Sequence, residues 1–88
     1  MRLDLFLKVS RLVKQRSAAR QLCDAGRVEI LGRRAKAATE VRPGDEITLS
    51  LRDRTLTVRV VEIPSGNVSK ERARALCEVI GDRDVSRH

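Results

Sequence analysis

The stretch KQRSAARQLCDAGRV, Lys14 to Val28, decides how this chain is read. Ser17 has the side chain of an N-cap, Ala18 to Ala25 form a helical body presenting Ala18, Leu22 and Ala25 to a core, and Gly26 is a left-handed stop. The charges run against that assignment. A helix start carries partial positive charge and favours acids, yet Lys14, Arg16 and Arg20 crowd it. The pattern calls for an anion, and free backbone amides beside these cations suit a phosphate. Arg16 leads the candidates, because it immediately precedes the cap and its guanidinium can grip a phosphate by two hydrogen bonds. The plainer alternative is a solvated Arg on an exposed linker, costing a few tenths of a kcal/mol.

On the N-terminal side, Leu5, Phe6, Val9, Leu12 and Val13 recur at helical spacing between Leu3 and Val13, with Asp4, Lys8 and Arg11 on the opposite side. This predicts an amphipathic helix with a basic outer stripe, packed on the second helix across a short basic linker. On the C-terminal side the period changes to two. Val28 and Ile30 alternate with Arg27 and Glu29, and Gly32 turns the chain into Arg33 to Ala37, a hairpin with a basic tip. Pro43 and Gly44 occupy the positions a type II turn favours. A strand through Ile47, Leu49 and Leu51 follows, and another from Leu56 stops before Pro64. Ser69 then caps an expected last helix with Ala73, Leu76, Cys77 and Ile80 buried, ending near Gly81. The expected organisation is one domain over residues 1–81 and a charged, flexible tail over 82–88.

Hydrophobic residues make up 41% of the 88-residue chain and charged residues 35%, the balance of a globular protein with one modest core. No apolar run approaches the roughly 20 residues that span a bilayer, so no membrane partner is expected. Asp4 and the interspersed bases also break any targeting-peptide core. Cys23 and Cys77 form no CxxC and read as buried free thiols of a cytoplasmic protein. The net charge of +7 is one-sided. Residues 1–44 hold 11 Lys or Arg against 4 Asp or Glu, whereas residues 45–88 hold 8 of each. Such an excess on one half suggests a face for a polyanion.

Catalysis finds little support. The lone histidine, His88, is the last residue, and the remaining carboxylates, such as Asp45, Glu46 and Asp53, lie in turns where acids serve structure. There is no phosphate-cradling glycine motif, and neither a cofactor nor a metal is expected. RNA binding fits better than DNA reading, because the second helix has few Asn or Gln for base edges. Phe6, the only aromatic, occupies a core position, so bases have no stacking platform. The candidate RNA contacts are Arg2, Lys8, Arg11, Lys14, Arg16, Ser17, Arg20, Arg33, Arg34 and Lys36. The last three form either a second phosphate clamp or a charged guard on an exposed strand edge.

Residues 2–47 resemble the S4 domain, the RNA-binding module named after small-subunit ribosomal protein four. Its pattern is met by Arg2-Leu3-Asp4, Arg16-Ser17, Gly26-Arg27-Val28, Gly32 and Pro43-Gly44-Asp45, with Leu31-Gly32 standing where Asn-Gly is common. The resemblance implies an α+β fold, with two N-terminal helices on a small, mainly antiparallel sheet, to which the sequence adds a C-terminal helix. It implies RNA contacts at Arg2 and Arg16. The chain is similar to stand-alone members of this family that act in bacterial ribosome-associated quality control. The partners this implies are rRNA of the large ribosomal subunit, peptidyl-tRNA and an RqcH-type tailing factor, for a non-catalytic, cytoplasmic monomer that supports C-terminal tailing. Two alternatives stay open: a heat-shock-type factor that recycles large subunits, and a basic adaptor for an acidic protein.

Overall fold

The structure, a computed structural model, describes residues 1–66 and 68–84. Helix α1 (Leu3–Val9) and helix α2 (Arg16–Asp24) precede strands β1 (Val28–Ile30), β2 (Arg33–Arg34), β3 (Glu46–Ser50) and β4 (Arg54–Val60), a short helix α3 (Lys70–Ala73) and strand β5 (Cys77–Asp84). The strands form one antiparallel sheet in the order β2-β1-β3-β4-β5. The two-layer α+β arrangement is the one expected from the sequence.

One core joins the layers. Leu3, Phe6 and Leu7 of α1 and Ala19 and Cys23 of α2 are buried in one cluster with Val28, Ile47, Leu49, Val58, Val60 and Leu76. Alternation in β3 follows the expected period, Ile47 and Leu49 inward and Thr48 facing Thr57 across the ladder, their hydroxyls 3.1 Å apart. Burying side chains of this size stabilises the fold by about 1.5–3 kcal/mol each.

Helix α1 ends four residues earlier than the periodicity predicts. Arg11 sits at φ 63, a left-handed conformation that stops the helix, while its amide donates to the Lys8 carbonyl at 3.1 Å. Leu12 and Val13 still pack against the core from the linker. Helix α2 starts one residue before its expected cap: Gln15 is the N-cap, in the extended region, and Ser17 lies exposed inside the first turn. On the buried face, Ala19 and Cys23 replace Ala18 and Ala25. As the first helical residue, Arg16 reaches Asp4 of α1.

Gly suits its place in each tight turn, whereas Leu31 takes a left-handed angle that its side chain disfavours. Leu31 and Gly32 join β1 to β2 with φ of 52 and 81, the pair of positive angles a type I′ hairpin needs. In the Arg42–Asp45 turn Gly44 takes φ 93 behind Pro43, the Asp45 amide donates to the Arg42 carbonyl, and the Asp45 carboxylate accepts from the Arg42 amide.

The expected last helix is a correction. Only Lys70–Ala73 are helical, with Ser69 capping by accepting from the Arg72 amide, and Cys77 to Asp84 are strand. The apolar positions 73, 76, 77 and 80 suit either period. The open edge of β4 decides between them, because a four-residue helix cannot sustain itself alone, whereas β5 gains a ladder along β4. Cross-strand ion pairs Arg54–Asp82 and Arg59–Glu78 reinforce it. Ile80 falls at a register shift opposite Thr57/Val58 and is 40% exposed, not buried. The strand runs past Gly81, where the tail was expected to begin, as far as Asp84; residues 85–88, including His88, lie outside the described residues.

Candidate nucleic-acid interface

The residues ahead of α1 are tied to the 39–41 segment by backbone hydrogen bonds. Leu3 donates to the Thr39 carbonyl at 2.8 Å, Val41 to the Met1 carbonyl at 2.9 Å, and Arg2 bridges Glu40 as a single antiparallel pair. This fixes Arg2 beside the first turn of α1, where Asp4 follows.

Asp4 is the residue the sequence reading misplaced. It was expected on the outer stripe; it is fully buried, 0% exposed, and three arginines converge on it. Arg2 reaches both carboxylate oxygens, Nε to Oδ1 at 3.3 Å and Nη2 to Oδ2 at 3.4 Å. Arg16 Nε lies 3.3 Å from Oδ2 and Arg20 Nη2 3.9 Å from it. The Leu5 amide donates to Oδ1 at 2.8 Å. Burial pushes the carboxyl up, but the Arg16 hydrogen bond, the Leu5 amide, the Arg16 charge and the Arg2 hydrogen bond together hold it below the usual carboxylate range. The helix with no acid in its own first turn thus receives one from its neighbour.

One carboxylate cannot neutralise three guanidiniums. Two positive charges remain in excess around Asp4, on side chains 43–58% exposed. An oriented, incompletely neutralised arginine cluster is suited to phosphate. The signal in the sequence was an acid at the second position of α1 flanked by Arg2, a placement the helical wheel assigned to the wrong side.

The other expected contacts fall into groups. Arg2, Arg20, Arg34 and Lys36 line one concavity of about 540 Å³ together with Asp24, its single acid, and with Cys23, Ala35, Ala37 and Ala38. Lys8, Arg11 and Lys14 line a separate groove of about 210 Å³ with Val9, Val13 and Val68. Arg33 is exposed on β2, outside both. Ser17 is exposed in the first turn of α2 and is not its N-cap, a place taken by Gln15. Cys23 and Cys77 are free thiols, Cys23 buried as expected but Cys77, on β5 and not on a helix, only half-buried; burial pushes both up, and for Cys23 the charges of Asp4 and Asp24 add to it, which works against nucleophilic thiolate chemistry. Among the described residues no group of three or more His, Cys, Asp or Glu is placed to hold a metal ion. No helix among them is long and apolar enough to cross a membrane.

This arrangement of helices, hairpin and turn coincides with a family match over residues 1–47, described as the S4 domain. The chain belongs to the S4 domain family. Among its relatives, the RQC P-site tRNA stabilizing factor of Bacillus subtilis (strain 168) is 47% identical over 73 residues, covering 83% of this chain and 85% of that protein. The protein of the same name from Halalkalibacterium halodurans is 41% identical over 87 residues, covering 99% and 98%. The trimeric structure of Vibrio cholerae heat shock protein 15 superposes with a TM-score of 0.83 at 32% identity, covering 92% of this chain and 82% of that one. In this S4 domain the basic half of the sequence and the three-arginine cluster coincide: Arg2, Arg16, Arg20, Arg34 and Lys36 all fall within residues 1–47.

Proposed function

We propose that this chain is a non-catalytic RNA-binding factor of ribosome-associated quality control, which holds peptidyl-tRNA against rRNA on the large ribosomal subunit. The observation that carries the reading is the Asp4 cluster, where Arg2, Arg16 and Arg20 are oriented by one carboxylate and left with excess positive charge. Relatives that align over most of this chain bear the name RQC P-site tRNA stabilizing factor, which supports a tRNA ligand. In this reading Arg2, Arg16 and Arg20 take one stretch of phosphates, with Ser17 beside them in the first turn of α2. Arg33, Arg34 and Lys36 extend that contact along the hairpin, and Lys8, Arg11 and Lys14 take a second. The protein works as a cytoplasmic monomer, with no cofactor, alongside an RqcH-type factor that elongates C-terminal tails. Its contribution is shape and electrostatics rather than bond-making.

The test is sedimentation of a cell lysate through a sucrose gradient, with wild type and Arg16→Ala compared by blotting. Wild type is expected with free large subunits and the variant at the top of the gradient. Wild type confined to the top, or a variant that sediments unchanged while folded by circular dichroism, would overturn the reading. The likeness in fold to heat shock protein 15 keeps open the heat-shock-type alternative raised by the sequence, a factor that recycles large subunits. Loss of C-terminal tails in a deletion strain separates the two, because only the quality-control role requires tailing.

A further inference from the structure

Helix α2 lacks a base in its last turn as well as an acid in its first. Its end is closed by a Schellman motif: Arg27 donates to the Leu22 carbonyl at 2.9 Å and Gly26, at φ 74, to the Cys23 carbonyl at 3.0 Å. The cation that the negative end of the helix favours comes from the hairpin. The Arg34 guanidinium lies on Gly26 so closely that a Cβ there would meet Nη2 at 2.5 Å and Cζ and Nε at 2.7 Å. Three guanidinium atoms at nearly one distance from that point mean that the planar group is presented by its face. Its N–H donors lie in the plane and stay available to the concavity Arg34 shares with Arg2, Arg20 and Lys36. The other left-handed glycines, Gly32 and Gly44, have nothing within 4 Å of a Cβ. Gly26 is therefore constrained twice, by its backbone angle and by what rests on it.

We propose that Gly26 is a positioning residue for RNA binding: the absence of its side chain makes the seat on which Arg34 lies flat, so that a hairpin cation is held in the same groove as Arg2 and Arg20. This rests on the reading of that groove as an RNA contact. A free Arg on a two-residue edge strand loses side-chain entropy on gripping phosphate; a seated one has already lost much of it.

The experiment measures binding to purified bacterial large ribosomal subunits at several salt concentrations, for Gly26→Asn, Arg34→Ala, the double variant, Gly44→Asn and Arg16→Ala. Asn tolerates a left-handed backbone but adds a Cβ, which separates the seat from backbone strain. Gly26→Asn and Arg34→Ala are each expected to weaken binding about 5-fold and to lower the salt slope by about one phosphate contact. The double variant should be no weaker than either, and Gly44→Asn should match wild type. Additive losses, an unchanged Gly26→Asn beside a weakened Arg34→Ala, or an unchanged Arg34→Ala beside a weakened Arg16→Ala would overturn the seat while leaving the RNA reading intact. Unchanged binding in both Arg16→Ala and Arg34→Ala would overturn the RNA reading itself. Should Gly26→Asn fail to fold, Arg34→Lys carries the test. It keeps the charge without the flat face and is expected to bind more weakly than wild type, and full retention would overturn the proposal.

Discussion

Arg16 Nε lies 3.3 Å from Oδ2 of the fully buried Asp4, so the base that crowds the start of α2 answers to an acid in the first turn of α1. The contact makes Asp4 a structural residue as well as the organiser of the surface cluster. Asp4→Asn is expected to destabilise the protein by about 2 kcal/mol near neutral pH. That is less than the 3–5 kcal/mol typical of breaking a fully buried pair, because the arginines are half-exposed and can turn to water. The folded pKa of Asp4 lies below its unfolded value, so its contribution is complete above about pH 4 and fades as pH falls through the lower folded value. Denaturant unfolding from pH 7 down to pH 2 should show the gap between wild type and Asp4→Asn narrowing on the acid side. A constant gap would mean the carboxylate charge contributes nothing.

Arg16 and Lys are not equivalent at this position. Arg16→Lys keeps the charge but loses the planar fork, so it should bind large subunits more weakly than wild type and more tightly than Arg16→Ala. The loss for Arg16→Ala should be about tenfold, with a salt slope reduced by about one. Co-sedimentation with purified large subunits at about 50, 100 and 200 mM salt resolves the order. Identical behaviour of Arg16→Lys and wild type would reduce Arg16 to a point charge.

Much of this fold was legible because its signals are local. Phe6, the alternation of Ile47 with Thr48 and Leu49, and the Pro43-Gly44 turn each fix their surroundings through neighbours a few residues away. The basic half of the chain was equally plain. What the sequence hid was non-local. Asp4 meets Arg16 and Arg20 through the packing of α2 on α1, and the seat at Gly26 exists because β2 brings Arg34 across it. At Cys77 to Asp84 the residues satisfy helix and strand spacing alike, and the unpaired edge of β4 selects the strand.

That choice can be read from two truncations. Leu76 is fully buried under either reading, so Leu76→Ala should cost about 2–4 kcal/mol. Ile80 would be core on a helix, but on β5 it is 40% exposed at a bulge. Ile80→Ala is expected to cost less than about 1 kcal/mol by denaturant unfolding. A loss as large as that of Leu76→Ala would restore the helical assignment.

Arg11 offers the sharpest separation of stability from binding. Its φ of 63 carries the left-handed penalty of a residue with a Cβ, about 1 kcal/mol, and it lines the groove with Lys8 and Lys14. Arg11→Ala keeps the strained backbone and removes the charge, whereas Arg11→Gly removes both. The glycine variant should therefore be the more stable of the two by about 1 kcal/mol, less what glycine gains in unfolded-chain entropy. If the groove contacts RNA, the two variants should lose the same affinity for large subunits despite their different stabilities. Affinity that instead tracks stability across the pair would mean that Arg11 acts on binding through the end of α1, and that its charge makes no contact.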